Sequence, residues 1–550
     1  MTTRTGRTDM TFHSGVVRTS DPDAPLAEAV AVVDGRIAAV GSTTDVLAAT
    51  SSDTRVVDLG GASVTPGLID SHLHPLWGAR LSAGIDLEGV ATLEGVRAAI
   101  AAEAARLEEG EWVRGWNLDY VAFDGAAPHR AVLDEAAGGR PVLLMFYDLH
   151  TALASEVALA AAGIDGPREF GDASSIVVDS AGVLTGELRE PSAYDLVVNA
   201  APAPSLDDDC AMLRATFRDL AAVGLTGCAV MDGSVRLLDV LERMEETADL
   251  GFRLDVFLWH RPEDDDAAVE ATIAAGRRSG RSWRVAGIKL FSDGVIDTGT
   301  AWLHEPDTCG AGRAGFWPDW DRYRAVIRRY DEAGLQLATH AVGDGAVSAV
   351  LDAYAELPPA VPERPRRIEH LEVLSDADVE QLRGTGVVAS MQPLHMQWRH
   401  ADLSDSWATR LGAERAATGF RARDVLDAGV PTVFGSDWPV ASFDPRTGLA
   451  WACARTAPGA VAVGDGADAA GVVFEPEQRV SVEDALVAYT RSAALALGDP
   501  DRGVLRLGAV ADLVVWDVDP ATVAPTALGS IAIRTTMVGG VLTHDRPAPA

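Results

Sequence analysis

The order of apolar and polar positions divides the chain into β-rich ends and a long middle. Near the N-terminus, AVAVVDGRIAAVG alternates around Asp34-Gly35, which is a hairpin signal. Similar short runs return near the C-terminus in GVLRLGAVADLVVWDVDP and IAIRTTMVGGVLTHD. We therefore expect residues 1–63 and 499–550 to meet in one small composite domain, a β-sandwich formed by both termini.

The middle alternates apolar strand-like runs with amphipathic helical stretches, which is typical of a parallel α/β fold. Eight such runs are candidate strands: residues 64–74, 226–233, 252–260, 285–294, 335–343, 366–372, 387–393 and 430–439. Eight βα units predict a TIM (β/α)8 barrel over residues 64–498. The long interval at about 75–205 is predicted to be an insertion after the first strand.

Polar residues at the strand ends are the first candidates for a site, because barrel active sites lie at the C-terminal ends of the strands. His72 and His74 end the first strand and share a face, since residues i and i+2 of a strand point the same way. His340, His370 and Asp437 end the fifth, sixth and eighth strands. A lone HxH would be an ordinary loop pair, but this convergence indicates a metal site.

The fourth strand, VAGIKLFSDG, contains Lys289, the only lysine among 46 Lys and Arg residues. Codon preference explains why lysine is rare, but it does not explain this apolar position. Burial lowers the pKa of a lysine toward the neutral amine, whereas arginine stays protonated. The alternative is a chance survivor whose stem packs in the barrel wall.

Taken together, the motifs PGLIDSHLH, GIKLFSDG, THAVGDGAV, RIEHLE, SMQP and GSDWPV resemble the amidohydrolase superfamily in order and spacing. The likeness is greatest to the branch of N-substituted formamide deformylase and related amide hydrolases. It extends over nearly the whole chain, including TGELRE and AYTRSAALALG. It implies two divalent metal ions, most simply Zn²⁺, although Mn, Fe or Co would fit the same ligands. The implied ligands are His72, His74, His340, His370, Asp437 and Lys289, the lysine being carboxylated by carbon dioxide to a bridging carbamate.

The resemblance and the chemistry together predict a metal-dependent hydrolase of a C–N (amide-type) bond, in EC class 3.5. A metal-bridging hydroxide would attack the carbonyl carbon, with Asp437 as general base and then acid. The expected substrate is a small, hydrophobic or aromatic N-substituted amide. A cyclic-amide (hydantoinase-like) hydrolase and an ester or carbamate hydrolase remain alternatives. Two others are disfavoured: a one-metal deaminase, by the strand-4 lysine, and a non-catalytic barrel scaffold, by the complete ligand set.

Residues around the predicted ligands are candidates for supporting roles. Asp293, Asp344 and Glu369 could orient imidazoles from outside the ligand set. Candidates for substrate binding are His150, Trp302, His395 and Trp438, in a pocket that other Trp and Met side chains would make largely apolar. Ser155 stands where the family often has an asparagine after the His150 position, which puts one relative's substrate contact in doubt.

Composition narrows the classes of partner. With 47% hydrophobic and 23% charged residues the chain is an ordinary globular protein, and a net charge of −35 argues against nucleic acid. The N-terminus MTTRTGRTDMTF lacks a signal-peptide core, no run has membrane-spanning length, and four cysteines show no CxxC pairing. We expect a cytoplasmic enzyme with a small-molecule substrate and no membrane partner. The assembly is left open, with a homodimer as one option.

Overall fold

The computed structural model describes residues 9–108, 110–147, 149, 151–170, 174–457 and 472–546. The chain divides into two compact units, one of Met1–His74 with Arg214–Ala550 and one of Pro75–Leu213. In chain order the strands are β1 (Met10–His13), β2 (Val16–Arg18), β3 (Leu26–Ala27), β4 (Ala29–Val33), β5 (Arg36–Gly41), β6 (Arg55–Asp58), β7 (Ser63–Pro66), β8 (Leu68–Leu73), β9 (Ile85–Asp86), β10 (Val113–Leu118), β11 (Val142–Phe146), β12 (Thr151–Ala154), β13 (Ser175–Val178), β14 (Leu184–Arg189), β15 (Leu225–Gly233), β16 (Arg253–Trp259), β17 (Trp283–Phe291), β18 (Gln336–Ala341), β19 (Arg367–His370), β20 (Val388–Met391), β21 (Thr432–Phe434), β22 (Leu513–Trp516), β23 (Ile533–Val538) and β24 (Val541–Asp545).

The helices are α1 (Thr43–Ala48), α2 (Pro75–Ser82), α3 (Leu93–Ala104), α4 (Ala131–Ala136), α5 (Glu156–Ala161), α6 (Pro191–Ala200), α7 (Leu206–Ala222), α8 (Val235–Thr247), α9 (Asp266–Ala275), α10 (Trp320–Glu332), α11 (Asp344–Ala355), α12 (Asp376–Leu382), α13 (Ser406–Leu411), α14 (Ala413–Ala416), α15 (Ala422–Asp427), α16 (Pro445–Ala454), α17 (Val482–Ala488) and α18 (Arg491–Ala496). None of the helices in the described part of the chain combines the length and the apolar character that a membrane crossing requires.

The largest sheet has eight parallel strands in the order β8-β15-β16-β17-β18-β19-β20-β21. Its two edges approach each other, because Leu73 forms a parallel bridge with Trp438 and the Asp437 N–H donates to the His72 carbonyl at 2.8 Å. The His74 N–H likewise donates to the Trp438 carbonyl at 2.9 Å. The sheet is therefore a nearly closed TIM-type barrel, as predicted, with each of the eight candidate runs supplying one strand.

Local sequence explains why helices cover the barrel. In α8 the Ser234 side chain caps the N-terminus, and the buried residues Leu237, Leu238, Leu241 and Met244 recur at helical spacing on one side. One hydrophobic cluster joins apolar side chains of the barrel strands to residues of α18 and the Leu497 that follows it; it contains Ile69, Ala229, Met231, Phe257, Ala338, Val388, Val433, Ala493, Ala494, Ala496 and Leu497.

Two further sheets come from the chain ends, as the terminal alternation predicted. Their orders are β5-β4-β1-β6 and β24-β23-β22-β7-β2-β3, so C-terminal β22 lies between β23 and N-terminal β7. Both sheets contribute to one hydrophobic cluster, which includes Phe12, Val30, Val64, Leu513 and Met537. The predicted hairpin joins β4 to β5, with Asp34 and Gly35 at φ 54° and 76°, as a type I′ turn requires.

One predicted strand, residues 64–74, is divided in the structure. Its first part is β7, which pairs with β2 and β22 in a terminal sheet, and its second part is β8, which pairs with β15 in the barrel. Gly67 joins the two parts. Both parts are buried, so the apolar run continues while the chain passes from one sheet to the other.

The second unit has its own six-stranded sheet, in the order β13-β14-β12-β11-β10-β9. The interval predicted as an insertion, about 75–205, falls within this unit. Its hydrophobic core is formed by residues including Leu87, Val96, Ile100, Leu118 and Phe146.

Candidate metal centre

The ends of four barrel strands bring the predicted histidines and Asp437 together. The ring centroids of His72 and His370 are 4.8 Å apart, and those of His340 and His370 are 4.3 Å apart. Asp437 Oδ1 lies 2.9 Å from His74 Nε2 and 3.3 Å from His72 Nε2. These contacts join residues up to 365 positions apart, so the cluster is a product of barrel closure.

Two of these residues have an unusual backbone. His370 and Asp437 have φ of 77° and 60°, in the left-handed region that residues with a Cβ rarely adopt. His370 is the last residue of β19 and Asp437 lies three residues after β21, and each places its side chain in the cluster. Residues in sparsely populated backbone regions cluster at functional sites, because the surrounding structure must hold them there.

Burial sets the protonation of the cluster. It lowers the pKa of His72 to about 3 and that of His340 to about 4, with the nearby Lys289 amine as the second cause. Burial and the neighbouring His340 hold the pKa of His370 well below its ordinary value. Burial opposes ionisation of Asp437, but His72 and the other imidazoles outweigh it, so its pKa is well below the usual range. Neutral imidazoles beside an anionic carboxylate are the donor set that a divalent transition metal prefers.

Lys289 lies inside this cluster, with 1% of its surface exposed. Its Nζ is 3.1 Å from His72 Nε2 and 5.3 Å from the centre of the Phe291 ring. Burial is the main cause that lowers the pKa of the amine to about 8. A fraction of the Lys289 side chains therefore carries a neutral amine near physiological pH.

Glu369 is hydrogen-bonded to the His72 imidazole. Glu369 Oε2 lies 2.8 Å from His72 Nδ1, and Arg367 Nε donates to Glu369 Oε1 at 2.8 Å. Burial opposes ionisation of Glu369, but the charge of Arg367 and the hydrogen bond from His72 outweigh it, so the pKa is well below its ordinary value. Arg367 was not singled out from the sequence, although it stands two residues before Glu369 on the same strand face.

Asp293 lies next to His340 but mainly orders backbone. Its carboxylate accepts N–H groups from Trp302 at 2.8 Å and from Val342 and Gly343 at 3.0 Å. Its Oδ1 is 3.7 Å from His340 Nε2, which donates instead to the Gly294 carbonyl at 3.1 Å. Burial raises the pKa of Asp293 to about 7, against the effect of these N–H groups.

Asp344 lies elsewhere, at the start of α11. Its Oδ1 accepts the N–H groups of His304 and Gly345, and in the described ranges it makes no hydrogen bond to an imidazole of the centre. Asp344, His304 and Asp378 form a separate His/Asp cluster. The Asp378 carboxylate forms a capping box with Ser375 at the start of α12, so this member of the cluster has a structural role.

The residues predicted to bind substrate have different surroundings. His395 is buried beside the centre, with Nδ1 3.4 Å from Glu372 Oε1 and Nε2 3.8 Å from Asp437 Oδ2. Trp438 is buried edge-to-face against Phe443, with 5.5 Å between ring centroids. The Trp302 ring packs against Trp320 in the same manner at 5.4 Å. His150 lies outside the described residues.

Two aromatic residues that the sequence analysis did not single out lie beside the predicted ligands. Trp259 and Phe291 meet edge-to-face with centroids 5.4 Å apart. The Trp259 ring is 6.3 Å from that of His74, and the Phe291 ring is 5.6 Å from that of His340. Trp259 ends the third barrel strand and is the register partner of Lys289, so the strand-end rule could have found it.

Comparisons with known proteins agree with this geometry. The model of the amidohydrolase family matches residues 55–544. The chain is 30% identical to protein LONG AFTER FAR-RED 3 of Arabidopsis thaliana, over 97% of this chain and 91% of the relative. It is 28% identical to the putative amidohydrolase YtcJ of Bacillus subtilis, over 97% and 99%, and to the N-substituted formamide deformylase of Arthrobacter pascens, over 98% and 98%.

Comparison with solved structures also finds metal-dependent hydrolases. An uncharacterised metal-dependent hydrolase from Pyrococcus furiosus superimposes with a TM-score of 0.74 at 25% identity, covering 94% of this chain and 100% of the other. A corresponding protein from Pyrococcus horikoshii has a TM-score of 0.75 at 22% identity, over 94% and 99%, which supports the fold. The chain therefore belongs to the amidohydrolase family and is a hydrolase of carbon–nitrogen bonds.

Proposed function

We propose that this enzyme hydrolyses the amide-type bond of a small N-substituted amide with an apolar or aromatic substituent, at a centre for two divalent cations. The observation that carries the proposal is the convergence of neutral imidazoles, an anionic Asp437 and a buried amine at one end of the barrel. The ligands would be His72, His74, Lys289, His340, His370 and Asp437. Nitrogen-rich ligands completed by oxygen suit Zn²⁺.

Lys289 would enter the centre as a carbamate. Its neutral amine attacks carbon dioxide, an N–C bond forms, one N–H proton leaves, and the product is an anionic carboxylate. This change would turn a nitrogen donor into an oxygen donor pair able to serve both cations. It would also remove the conflict between an ammonium group and the adjacent cation site.

Asp437 would carry the proton through the reaction. When bound, the cations supply an acidified water as nucleophile and polarise the carbonyl of the substrate. Asp437 accepts the proton of that water and transfers it to the leaving nitrogen, as general base and then general acid. Its contacts with His72 and His74 favour the anionic form that the first transfer requires.

Trp259 and Phe291 support the apolar substituent. Both rings are only partly buried and lie beside His74 and His340, so they would form one wall of the substrate pocket. The similarity to an N-substituted formamide deformylase favours the same class of substrate. Cyclic amides, carbamates and esters are the alternatives that a substrate screen would separate.

The test compares Lys289→Ala and Lys289→Arg with the native enzyme. We expect both variants to lose metal, and kcat/KM to fall at least ~100-fold, because several kcal/mol of charge stabilisation disappear. Metal per chain is measured by mass spectrometry, and activity with a panel of N-formyl and N-acyl amines. Short carboxylic acids should partly restore Lys289→Ala but not Lys289→Arg, whose side chain fills the space. Full activity and metal content in Lys289→Ala would contradict the proposal.

A further inference from the structure

Arg367 is an arginine buried inside the barrel, with 0% of its surface exposed. Its guanidinium lies 5.4 Å from the centre of the Phe257 ring, which belongs to the hydrophobic cluster of the barrel strands and α18. Removing a guanidinium from water is costly unless charge and hydrogen bonds compensate it. The partners that compensate Arg367 therefore indicate what it does.

Those partners belong to three barrel strands, β8, β19 and β20. Arg367 Nε and Nη2 donate to the two carboxylate oxygens of Glu369, at 2.8 and 3.1 Å. Nη2 also donates to the Ser71 carbonyl at 2.6 Å and to Ser390 Oγ at 3.0 Å. A two-pronged pair of this kind fixes the plane of the carboxylate as well as its position. Arg367 thus holds Glu369 and, through Ser71, the backbone next to His72.

Glu369 in turn fixes the orientation of the His72 imidazole. An ionised carboxylate only accepts hydrogen bonds, so the contact of 2.8 Å requires the proton of His72 on Nδ1. The lone pair of Nε2 then faces the centre, where Lys289 Nζ is at 3.1 Å and Asp437 Oδ1 at 3.3 Å. Hydrogen bonds on the far nitrogen of a ligating imidazole are known to set its orientation and its tautomer.

We propose that Arg367 is a positioning residue of the metal centre, which acts through Glu369 to hold the His72 imidazole in its metal-binding orientation. The inference rests on the proposed metal centre. It adds a residue that touches neither a cation nor the substrate and whose effect must pass through Glu369. Loss of Arg367 should therefore change the affinity for metal, in addition to any change in stability.

Arg502 offers a matched control for the cost of removing a buried arginine. Its side chain is 5% exposed and donates to Asp255 Oδ2 at 2.8 Å, near the start of β16, and Asp512 lies 3.9 Å away. Within the described residues, none of its ion pairs or hydrogen bonds involves a predicted metal ligand. Replacing Arg502 should lower stability and leave the metal centre intact.

The experiment measures Zn²⁺ affinity on metal-depleted full-length protein by competition with a chromophoric chelator. The variants are Arg367→Met, Glu369→Gln, the double variant and Arg502→Met. We expect each of the first two to weaken Zn²⁺ binding ~10–100-fold. The double variant should bind about as tightly as Glu369→Gln alone, because two residues acting in series are not additive. Arg502→Met should keep the native affinity within about 2-fold.

Several results would overturn the inference. They are native affinity in Arg367→Met, losses that multiply in the double variant, or an equal loss in Arg502→Met. If Arg367→Met does not fold, Arg367→Lys keeps the charge without the two-pronged geometry, and unchanged affinity in that variant would equally contradict the proposal. The proposed function fails separately, either if the native protein binds no metal or if Lys289→Ala keeps full activity and metal content.

Discussion

Burial is the first cause that lowers the pKa of Lys289 and of three histidines around it, His72, His340 and His370. Three imidazoles that stay neutral inside a protein have little use as a structural ion network. They have an obvious use as a ligand set, because protons no longer compete for the lone pairs.

The side chain of Trp259 should determine the preference for substrates with an aromatic substituent. In Trp259→Ala the pocket loses a large apolar wall, so kcat/KM for amides with an aromatic substituent should fall ~10–200-fold. Formamides with a small substituent do not reach this wall and should be affected much less. Steady-state kinetics over a series of substituents, with metal content measured in parallel, checks the prediction.

The small substrates are the internal control, because a variant with a damaged metal centre would lose activity on every substrate. An equal loss of kcat/KM across the series, or no loss on aromatic substrates, would contradict the proposal that Trp259 forms part of the pocket wall.

Among the elements, the junction of β7 and β8 shows how one apolar run serves two sheets. The chain leaves the terminal sheet at Pro66 and enters the barrel at Leu68, and Thr226 of β15 packs against the intervening Gly67. Thr226 Oγ1 donates to the Leu68 carbonyl at 3.1 Å, which holds this crowded side chain in place. The absence of a side chain at residue 67 is what lets the two elements approach.

Gly67→Ala should therefore destabilise the protein. A Cβ at this position would overlap the buried Thr226 side chain, and overpacking of this kind costs ~1–3 kcal/mol. Urea unfolding measures the change. Gly41→Ala is the control, since a Cβ there meets no atom within 4 Å, and its effect should stay within about 0.5 kcal/mol. Equal effects of the two substitutions would refute the packing argument.

At the scale of the whole molecule, metal binding should be coupled to folding. The proposed ligands come from residues 72 to 437, so the two cations together would join strands that are distant in the chain. A ligand at 100 times its Kd stabilises the native state by ~2.7 kcal/mol when the unfolded chain does not bind it. Removing metal should accordingly lower the thermal transition of the protein.

Calorimetry of native, chelator-treated and Zn²⁺-restored protein checks this coupling. Mg²⁺ should restore the transition poorly, because it prefers oxygen ligands. Lys289→Ala should gain less from Zn²⁺ than the native protein does. Identical transitions with and without metal would contradict a cation held by residues of several strands.

The sequence by itself determined the architecture and the principal members of the candidate site. Period-2 runs at the ends and eight apolar runs in the middle were enough for a β-sandwich and a barrel, because each pattern reflects which faces are buried. The strand-end rule then collected His72, His74, His340, His370 and Asp437, since the ends of parallel strands meet on one side of a barrel.

Only the tertiary structure decided the rest. It placed Asp344 at the start of α11, where it binds backbone N–H groups, Arg367 next to Glu369, and Trp259 beside His74. It also divided one apolar run between two sheets at Gly67. The physical reason is that hydrophobic pattern records whether a position is buried, whereas these roles depend on which distant side chain lies opposite, and that is set by barrel closure.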